Sequence, residues 1–330
     1  MEAATDPRDD LIRPFQIDPF ALRGRMVRIG GTLDRIIGQH GYPDAVAVML
    51  GEAVALAAIL AGALKYDGVF TLQTKGDGPI SLIVADVTTA GAVRGYAQYD
   101  AERLARAIAT PGPGGAPIGN SVPRLLGAGY LAFTVDQGEY TERYQGIVEL
   151  VGRTLTECIH HYFRQSEQIE AGIRIAVERE PATGAWRAGG LMIQRLPAIG
   201  GKDSEGTDLV ETRMSFGGEF AVEAQDEGWR DAMVLLGTAG ATELTDPDLT
   251  SEALLFRLFH ESGVRVYPPQ PLMAQCRCSR DRIEFILGTL PVEDTSELEV
   301  DGKVVVTCEF CGTPYRFEPD EVAALHAERE

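Results

Sequence analysis

The sequence contains little cysteine, with five such residues in a chain of 330. Four of the five lie in the last sixth of the chain as two tight pairs, Cys276 with Cys278 and Cys308 with Cys311, and the fifth is Cys158. In a compartment that keeps thiols reduced, clustered pairs indicate a metal or redox site rather than structural disulfides. The scarcity of cysteine elsewhere therefore implies one shared role for the four.

Positive charge is also scarce. The chain has 30 lysines and arginines but 49 aspartates and glutamates, which gives a formal net charge of −19. The sequence pI is about 4.7. A surface of this kind repels DNA, RNA and anionic lipid. We therefore expect no nucleic-acid partner and no membrane partner.

The chain shows neither a signal peptide nor a long uninterrupted apolar run. Residues 1–10 are acidic and polar, without the basic and apolar regions that a signal peptide requires. The most apolar stretch, residues 53–64, is too short to span a bilayer and has Glu52 at its edge. These features predict a buried helix in a soluble, cytoplasmic protein.

No enzyme motif stands out in the sequence. There is no Ser/His/Asp triad, carboxylate pair or phosphate loop above background. The segment 111–117 is rich in glycine and proline but has no GxGxxG or Walker pattern, so we predict an ordinary loop there. We therefore expect a protein that is not an enzyme.

The order of the predicted elements indicates an α+β fold. Residues 44–64, rich in Ala, Leu and Val, predict a helix that is packed on most sides. Thr154 opens a capping box and a helix that extends to about Gln168. Alternating apolar residues and turn signals predict strands at 69–74, 80–85, 93–97, 130–135, 145–150, 173–177 and 191–196. We assign residues 1–197 to an N-terminal mixed α/β core domain.

Residues 198–263 read as a partly helical linker. Its first part, 198–228, has eight acidic and two basic residues and little periodicity, which predicts a mobile insertion. Two short helices are predicted after it, at about 229–236 and 251–260. The second carries an apolar stripe of Leu254, Leu255, Leu258 and Phe259. A helix this short is marginal in water, so we expect the stripe to dock on the core domain.

Residues 264–330 form a small module around the four cysteines. An extended Cys-x-Cys presents both sulfurs on one face. The second pair follows an apolar run and precedes Gly312, for which a left-handed backbone is inexpensive, and many zinc-binding turns are built this way. Four thiolates fill a closed tetrahedral zinc site, although the spacing leaves iron open. Ser279 is predicted to cap a helix with Ile283, Ile286, Leu287 and Leu290 on one face, and Pro319 to open a last helix.

These residues resemble the redox-regulated heat-shock protein 33 family of holdase chaperones. The resemblance extends over nearly the whole chain and is carried by CRCSRDR at 276–282, CEFCG at 308–312, YRF at 315–317, YQGIV at 144–148, YFRQSEQ at 162–168 and LFHE at 258–261. The sequence departs from the family pattern in two places. The segment 198–228 is longer and more acidic than expected, and Ile169-Glu170-Ala171 stands where the family usually has proline.

The resemblance implies a redox-controlled holdase mechanism. Cys276, Cys278, Cys308 and Cys311 would hold one Zn²⁺ in the reduced, inactive protein. Oxidation by hypochlorous acid, or by peroxide with heat, would form the disulfides Cys276–Cys278 and Cys308–Cys311 and release the metal. The module and linker would then unfold and expose apolar surface. The chain would dimerise and hold unfolding client proteins without ATP.

The energetics agree with such a switch. Disulfides that close rings of three and four residues stabilise by roughly 2 kcal/mol or less, whereas zinc in folding-coupled sites contributes about 10–16 kcal/mol. Three other interpretations of the cysteines remain open: an inert structural zinc module, a zinc-ribbon adaptor, and a thiol-disulfide oxidoreductase. We expect Cys158 to be a buried, inert thiol, and we expect none of His160, His161, His260 and His326 to be a metal ligand.

Overall fold

The protein was studied as a computed structural model, which describes residues 8–112, 118–138, 144–164, 170–195, 218–291, 294–295 and 297–327. The fold is α+β, as predicted, with two six-stranded sheets and one three-stranded sheet. The strands are β1 Leu11–Ile17, β2 Leu22–Ile29, β3 Val69–Gly76, β4 Ile80–Thr88, β5 Ala92–Tyr99, β6 Gly129–Asp136, β7 Tyr144–Glu149, β8 Ala171–Arg179, β9 Trp186–Arg195, β10 Val264–Val266, β11 Gln270–Pro271, β12 Met273–Ala274, β13 Glu299–Val300, β14 Lys303–Thr307 and β15 Pro314–Phe317. The helices are α1 Gly31–Gly38, α2 Asp44–Ala63, α3 Ala101–Ala109, α4 Val122–Leu125, α5 Leu155–Tyr162, α6 Gly218–Thr238, α7 Ala241–Thr245, α8 Ser251–Phe259, α9 Arg280–Leu287 and α10 Pro319–Ala327.

Helix α2 lies between the two large sheets. It contacts β2, β8 and β9 of the first sheet and β3, β4 and β5 of the second. Among the described residues, this helix alone is long and apolar enough to cross a membrane, but 83% of its most apolar segment is buried inside the protein. The helix predicted at 44–64 is thus confirmed, and the 53–64 stretch, too short by itself to span a bilayer, lies within it. Its apolar character is explained by contact with a sheet on each side.

The predicted strands of the core are confirmed, and they form antiparallel pairs. Strand β3 pairs antiparallel with β4, β6 with β7, and β8 with β9. The Thr154 hydroxyl accepts a hydrogen bond from the Glu157 amide at the start of α5. That helix ends at Tyr162, earlier than predicted, and residues 165–169 lie outside the described residues. Most of the predicted loop at 111–117 also lies outside them. Strands β1 and β2 and helix α1 had no counterpart in the prediction.

The apolar stripe of α8 docks on the core, as expected. Leu254, Leu255, Leu258 and Phe259 are buried in one cluster with side chains of the first sheet, which include Phe15, Leu22, Met26, Leu191 and Ile193. The helix before it was predicted to start at 229, but α6 begins at Gly218, and α7 was not predicted. The prediction of irregular structure for 198–228 is therefore wrong for 218–228, and residues 198–217 lie outside the described residues.

A buried polar network fixes the end of α7 to the first sheet. Arg28 and Arg187 both pair with Asp9. The same two guanidinium groups donate to main-chain carbonyls of the linker, Arg28 to Asp246 and Arg187 to Thr245, the latter at 2.8 Å. Arginines on β2 and β9 therefore use both an internal carboxylate and the linker backbone as acceptors. The linker thus has a polar attachment to the core beside its apolar one.

The chain after α8 crosses both large sheets before it reaches the cysteines. Strands β10 and β11 pair antiparallel with β1, and β12 pairs parallel with β5. We placed the start of the cysteine module at 264, but residues 264–274 belong to the sheets of the core. As a packing unit the module begins after Ala274. Its own core consists of five buried residues, Ile283, Leu287, Val304, Phe317 and Val322, while Ile286, predicted on the same apolar face, is 45% exposed.

Candidate metal centre

Two short segments of the module present the four cysteines. Cys276 and Cys278 lie in the chain between β12 and α9, where the Ser279 hydroxyl accepts from the Arg282 amide and so sets the start of the helix, as predicted. The second pair lies in the turn between β14 and β15. There the Gly312 amide donates to the Cys308 carbonyl at 2.8 Å, and Gly312 has a φ of 66°. This is the left-handed conformation for which glycine was expected at that position.

The sulfur geometry fits a tetrahedral metal ion. The four Sγ atoms all lie within 4.8 Å of one another. Two separations are shorter, 3.7 Å from Cys276 to Cys308 and 3.4 Å from Cys278 to Cys311. Four sulfurs at about 2.3 Å from one zinc ion would be about 3.8 Å apart. The predicted ligand set is therefore assembled as a closed sulfur cage, with free thiols.

The cage favours a bound cation, because its thiols do not ionise readily side by side. Burial and the neighbouring thiols raise the pKa of Cys278 to about 12, and burial also raises the pKa of Cys308. Burial acts in the same direction on Cys311, but hydrogen bonds with Thr313 and with the other thiols outweigh it and lower its pKa to about 7. One thiolate is thus available near neutral pH, and a bound cation would stabilise the thiolate forms of Cys278 and Cys308.

The histidines lie outside this cage. Among the described residues, the four cysteines are the one group of His, Cys, Asp and Glu close enough to share a metal ion. His326 Nε2 is 3.0 Å from the Leu287 carbonyl, and His260 Nδ1 is 3.0 Å from the Phe256 carbonyl. His160 and His161 line a separate cavity beside Arg164.

Cys158 is buried in the core, as predicted, and its burial raises the pKa of its thiol to about 11. About one such group in 10,000 is a thiolate at pH 7, and thiolate is the reactive form. We therefore expect Cys158 to react with iodoacetamide far more slowly than Cys311 in reduced, metal-free protein, as measured by mass spectrometry of the alkylated peptides. Modification of Cys158 as fast as that of Cys311 would contradict this expectation.

The residues between the paired cysteines contact the core, which the sequence analysis did not predict. Arg277 pairs with Asp86 of β4 at 2.6 Å, and the Phe310 ring lies under the Arg94 guanidinium at 3.7 Å. One signal was present in the sequence, since Asp86 is a charged residue inside the apolar run of β4. A charge at such a position needs a partner when it is buried.

Comparison with known proteins agrees with this architecture. The sequence model of the Hsp33 protein family matches residues 10–318. The 33 kDa chaperonin of Caulobacter vibrioides is 39% identical over 317 residues, which cover 94% of this chain and 95% of that protein. The 33 kDa chaperonin of Azotobacter vinelandii is 35% identical over 320 residues, or 96% of this chain and 95% of that one.

The fold is also similar to a solved structure. The crystal structure of the 33 kDa chaperonin (heat shock protein 33 homologue) from Thermotoga maritima has a TM-score of 0.74 at 22% identity and covers 97% of this chain and 98% of that one. The sequence resemblance, the family match and the curated relatives agree from the core sheets to the cysteine cage. The chain is therefore a member of the Hsp33 chaperonin family.

Proposed function

We propose that this protein is a redox-regulated, ATP-independent holdase of the cytoplasm and not an enzyme. In the reduced state Cys276, Cys278, Cys308 and Cys311 hold one Zn²⁺ and the chaperone is inactive. Residues 1–197 are the chaperone core and 198–263 the linker. Residues 264–330 are the C-terminal redox-switch domain, in which the cysteine module follows Ala274. The observation that carries the proposal is the closed cage of four sulfurs in a module with a very small apolar core.

A bound zinc ion supplies charge that keeps the four sulfurs as thiolates, and it joins the two segments of the module. The family resemblance implies hypochlorous acid, or peroxide with heat, as the oxidant, and the reaction with hypochlorous acid balances as follows. Two thiolates, one hypochlorous acid molecule and one proton give a disulfide, chloride and water, so each pair loses two electrons. Oxidation of Cys276 with Cys278 and of Cys308 with Cys311 leaves no thiolate ligand. The module then rests on the few apolar contacts of its own core.

The linker explains why loss of the module would activate the protein. Its helix α8 covers apolar side chains of the first sheet, including Phe15 and Met26, that are otherwise a candidate surface for unfolded chains. The partners we propose are unfolding client proteins and, after oxidation, a second copy of this chain. The acidic surface supports a protein partner rather than nucleic acid or membrane.

One titration tests the proposal. Hypochlorous acid is added stepwise to the reduced, zinc-loaded protein, and zinc release, free thiols and suppression of client aggregation are followed together. We expect all three to change in parallel, with about one zinc released per chain. Aggregation that is suppressed equally while zinc is fully bound would contradict redox control. Multiple turnovers of peroxide with a reductant would instead indicate an oxidoreductase, and nucleic-acid binding only in the zinc form would indicate an adaptor.

The disulfide pattern is a separate prediction. The two shortest sulfur separations in the reduced structure join opposite pairs, Cys276 to Cys308 and Cys278 to Cys311. We nevertheless expect peptide mapping of the oxidised protein to find Cys276 with Cys278 and Cys308 with Cys311, because the members of each pair are one or two residues apart in the chain and stay together once oxidation releases the metal and the two segments separate. A majority of crossed disulfides would contradict this pairing.

A further inference from the structure

The outer face of the second large sheet carries a row of polar residues below the cysteine module. Thr71 of β3, Asp86 of β4 and Arg94 of β5 are cross-strand neighbours in register. Alternation along the strands turns them away from α2, because Ile83, Ala85 and Val87 of β4 face the core instead. Tyr96 follows Arg94 on the same outer face. This row is called the polar row below.

Asp86 is the acceptor at the centre of the polar row. Its carboxylate accepts from the Thr71 hydroxyl at 2.6 Å, from Arg94 at 2.6 Å and from Arg277 at 2.6 Å. Although Asp86 lies on the outer face of the sheet, it is only 3% exposed. One of its three partners, Arg277, comes from the module and stands between the ligands Cys276 and Cys278. The first cysteine pair is therefore attached to the core through the residue between its two members.

The second cysteine pair is attached in the same way. The Phe310 ring lies 3.7 Å below the Arg94 guanidinium and 6.1 Å from the Tyr96 ring, and the Phe310 carbonyl is 3.2 Å from His40 Nε2. Burial and a hydrogen bond to the Glu309 carboxylate raise the pKa of Tyr96, so its hydroxyl remains a donor to that carboxylate. Glu309 and Phe310 both stand between Cys308 and Cys311. Each ligand pair is thus held by its intervening residues.

We propose that Asp86, through Arg277 and Arg94, is a positioning residue for the metal centre, and that docking of the module on the polar row slows release of the metal. The main chain supports the same attachment, because the Gln275 amide donates to the Val93 carbonyl at 3.0 Å, one residue before the first ligand. A ligand pair whose intervening residue is fixed keeps its sulfurs close together. Because the core already holds the four ligands in place, they lose less conformational entropy when they bind the metal.

Thermodynamic linkage makes this coupling reciprocal. If docking strengthens metal binding by some factor, metal binding strengthens docking by the same factor, and such couplings are commonly 5-fold to 150-fold. Loss of the metal would therefore loosen the module from the polar row directly, in addition to unfolding it. The inference rests on the proposed metal centre, and it concerns the reduced protein before any oxidant acts.

The test compares metal release from full-length reduced variants by transfer of Zn²⁺ to a chromogenic chelator. Asp86→Asn leaves the two arginines without their shared carboxylate, and Arg277→Gln removes the module's side of the contact while the Asp86–Arg94 pair stays intact. We expect each variant to release zinc about 10-fold faster than wild type. We expect the double variant to be no faster than the faster single one, because both changes break one contact. Ile83→Val, on the opposite face of the same strand, is the matched control for lower core stability.

The outcomes separate this inference from the proposed function. If wild-type protein binds no metal, the metal centre itself is wrong. If wild type binds zinc and both Asp86→Asn and Arg277→Gln release it at the wild-type rate, the positioning role alone is wrong. Release from Ile83→Val that is as fast as from Asp86→Asn would also overturn it, since the effect would then follow core stability. Hydrogen exchange of peptides at 275–279 and 308–312 shows independently whether the module has left the sheet.

Discussion

A fully reduced, zinc-loaded protein that carries Leu255→Asp and Phe259→Asp should suppress the aggregation of an unfolding client, whereas wild-type protein in the same state should not. Both side chains are at most 1% exposed in the cluster between α8 and the first sheet. Burying two carboxylates there without partners costs several kcal/mol. A nine-residue helix has little stability of its own to oppose that cost. The linker should detach and uncover the apolar face of the core without any oxidant.

The same helix provides the matched control for this experiment. Phe256 lies on α8 but is 64% exposed, so Phe256→Asp should leave the linker docked and the reduced protein inactive. Light scattering of a client measures holdase activity, and hydrogen exchange of α8 reports docking. If the double variant loses protection in α8, keeps its zinc and its core, and still does not suppress aggregation, the linker does not cover the client-binding surface.

A second variant displaces the linker through a substitution in the core. A Cβ at Gly189 of β9 would lie 1.9 Å from the Leu244 carbonyl oxygen of α7, so Gly189→Ala must push that helix away. The neighbouring Gly190 faces the other side of the strand, where an added methyl meets the side chains of Ile175 and Ile59. We expect holdase activity in the reduced state from Gly189→Ala and none from Gly190→Ala. Equal activity of the two would indicate general destabilisation rather than linker release.

Removal of the metal from reduced protein by a chelator should unfold the cysteine module and leave the core folded. The module begins after Ala274, and its described residues include five buried apolar side chains; units of this size usually need a metal or disulfides to fold. Zinc in comparable sites contributes about 10–16 kcal/mol, which far exceeds the roughly 2 kcal/mol of a disulfide that closes such a short ring. Hydrogen exchange should therefore rise sharply in α9, β14 and β15 and stay unchanged in α2.

Return of one equivalent of zinc under reducing conditions should restore protection in the module. Cys158→Ser is the control, because this thiol is buried away from the cage and its loss should change neither metal content nor recovery. Oxidised, metal-free protein should show the same pattern of lost protection as chelated protein. A module that stays equally protected without metal, whether reduced or oxidised, would remove the energetic basis of the proposed switch.

The local features of this fold could be predicted from the sequence. The apolar composition of α2, the alternation in β3 and β4, the Ser279 cap and the glycine after Cys311 each act through neighbouring residues. The grouping of the four cysteines was also predictable, because two close cysteine pairs in a cysteine-poor chain have few other uses. In each of these cases the residues that determine the local structure lie within a few residues of it in the sequence.

The features that the sequence did not reveal depend on distant parts of the chain. Residues 264–274 have no strong strand pattern, and they become β10, β11 and β12 because β1 and β5 offer them unpaired edges. Helix α7 is only five residues long, and Arg28 and Arg187 hold its end to the core. The role of Asp86 needed the register of three strands and a residue from the module.

The pairing of β1 with β10 has a consequence for how the protein is made. Phe15 lies opposite Val266, about 250 residues later in the chain. A ribosome that adds 5–20 residues per second needs about 10–50 s to supply the second partner after the first. During that interval the outer edge of β1 has no neighbour, and open strand edges promote association between chains. The nascent chaperone therefore passes through a stage in which it needs protection of the kind that it is proposed to give to other proteins.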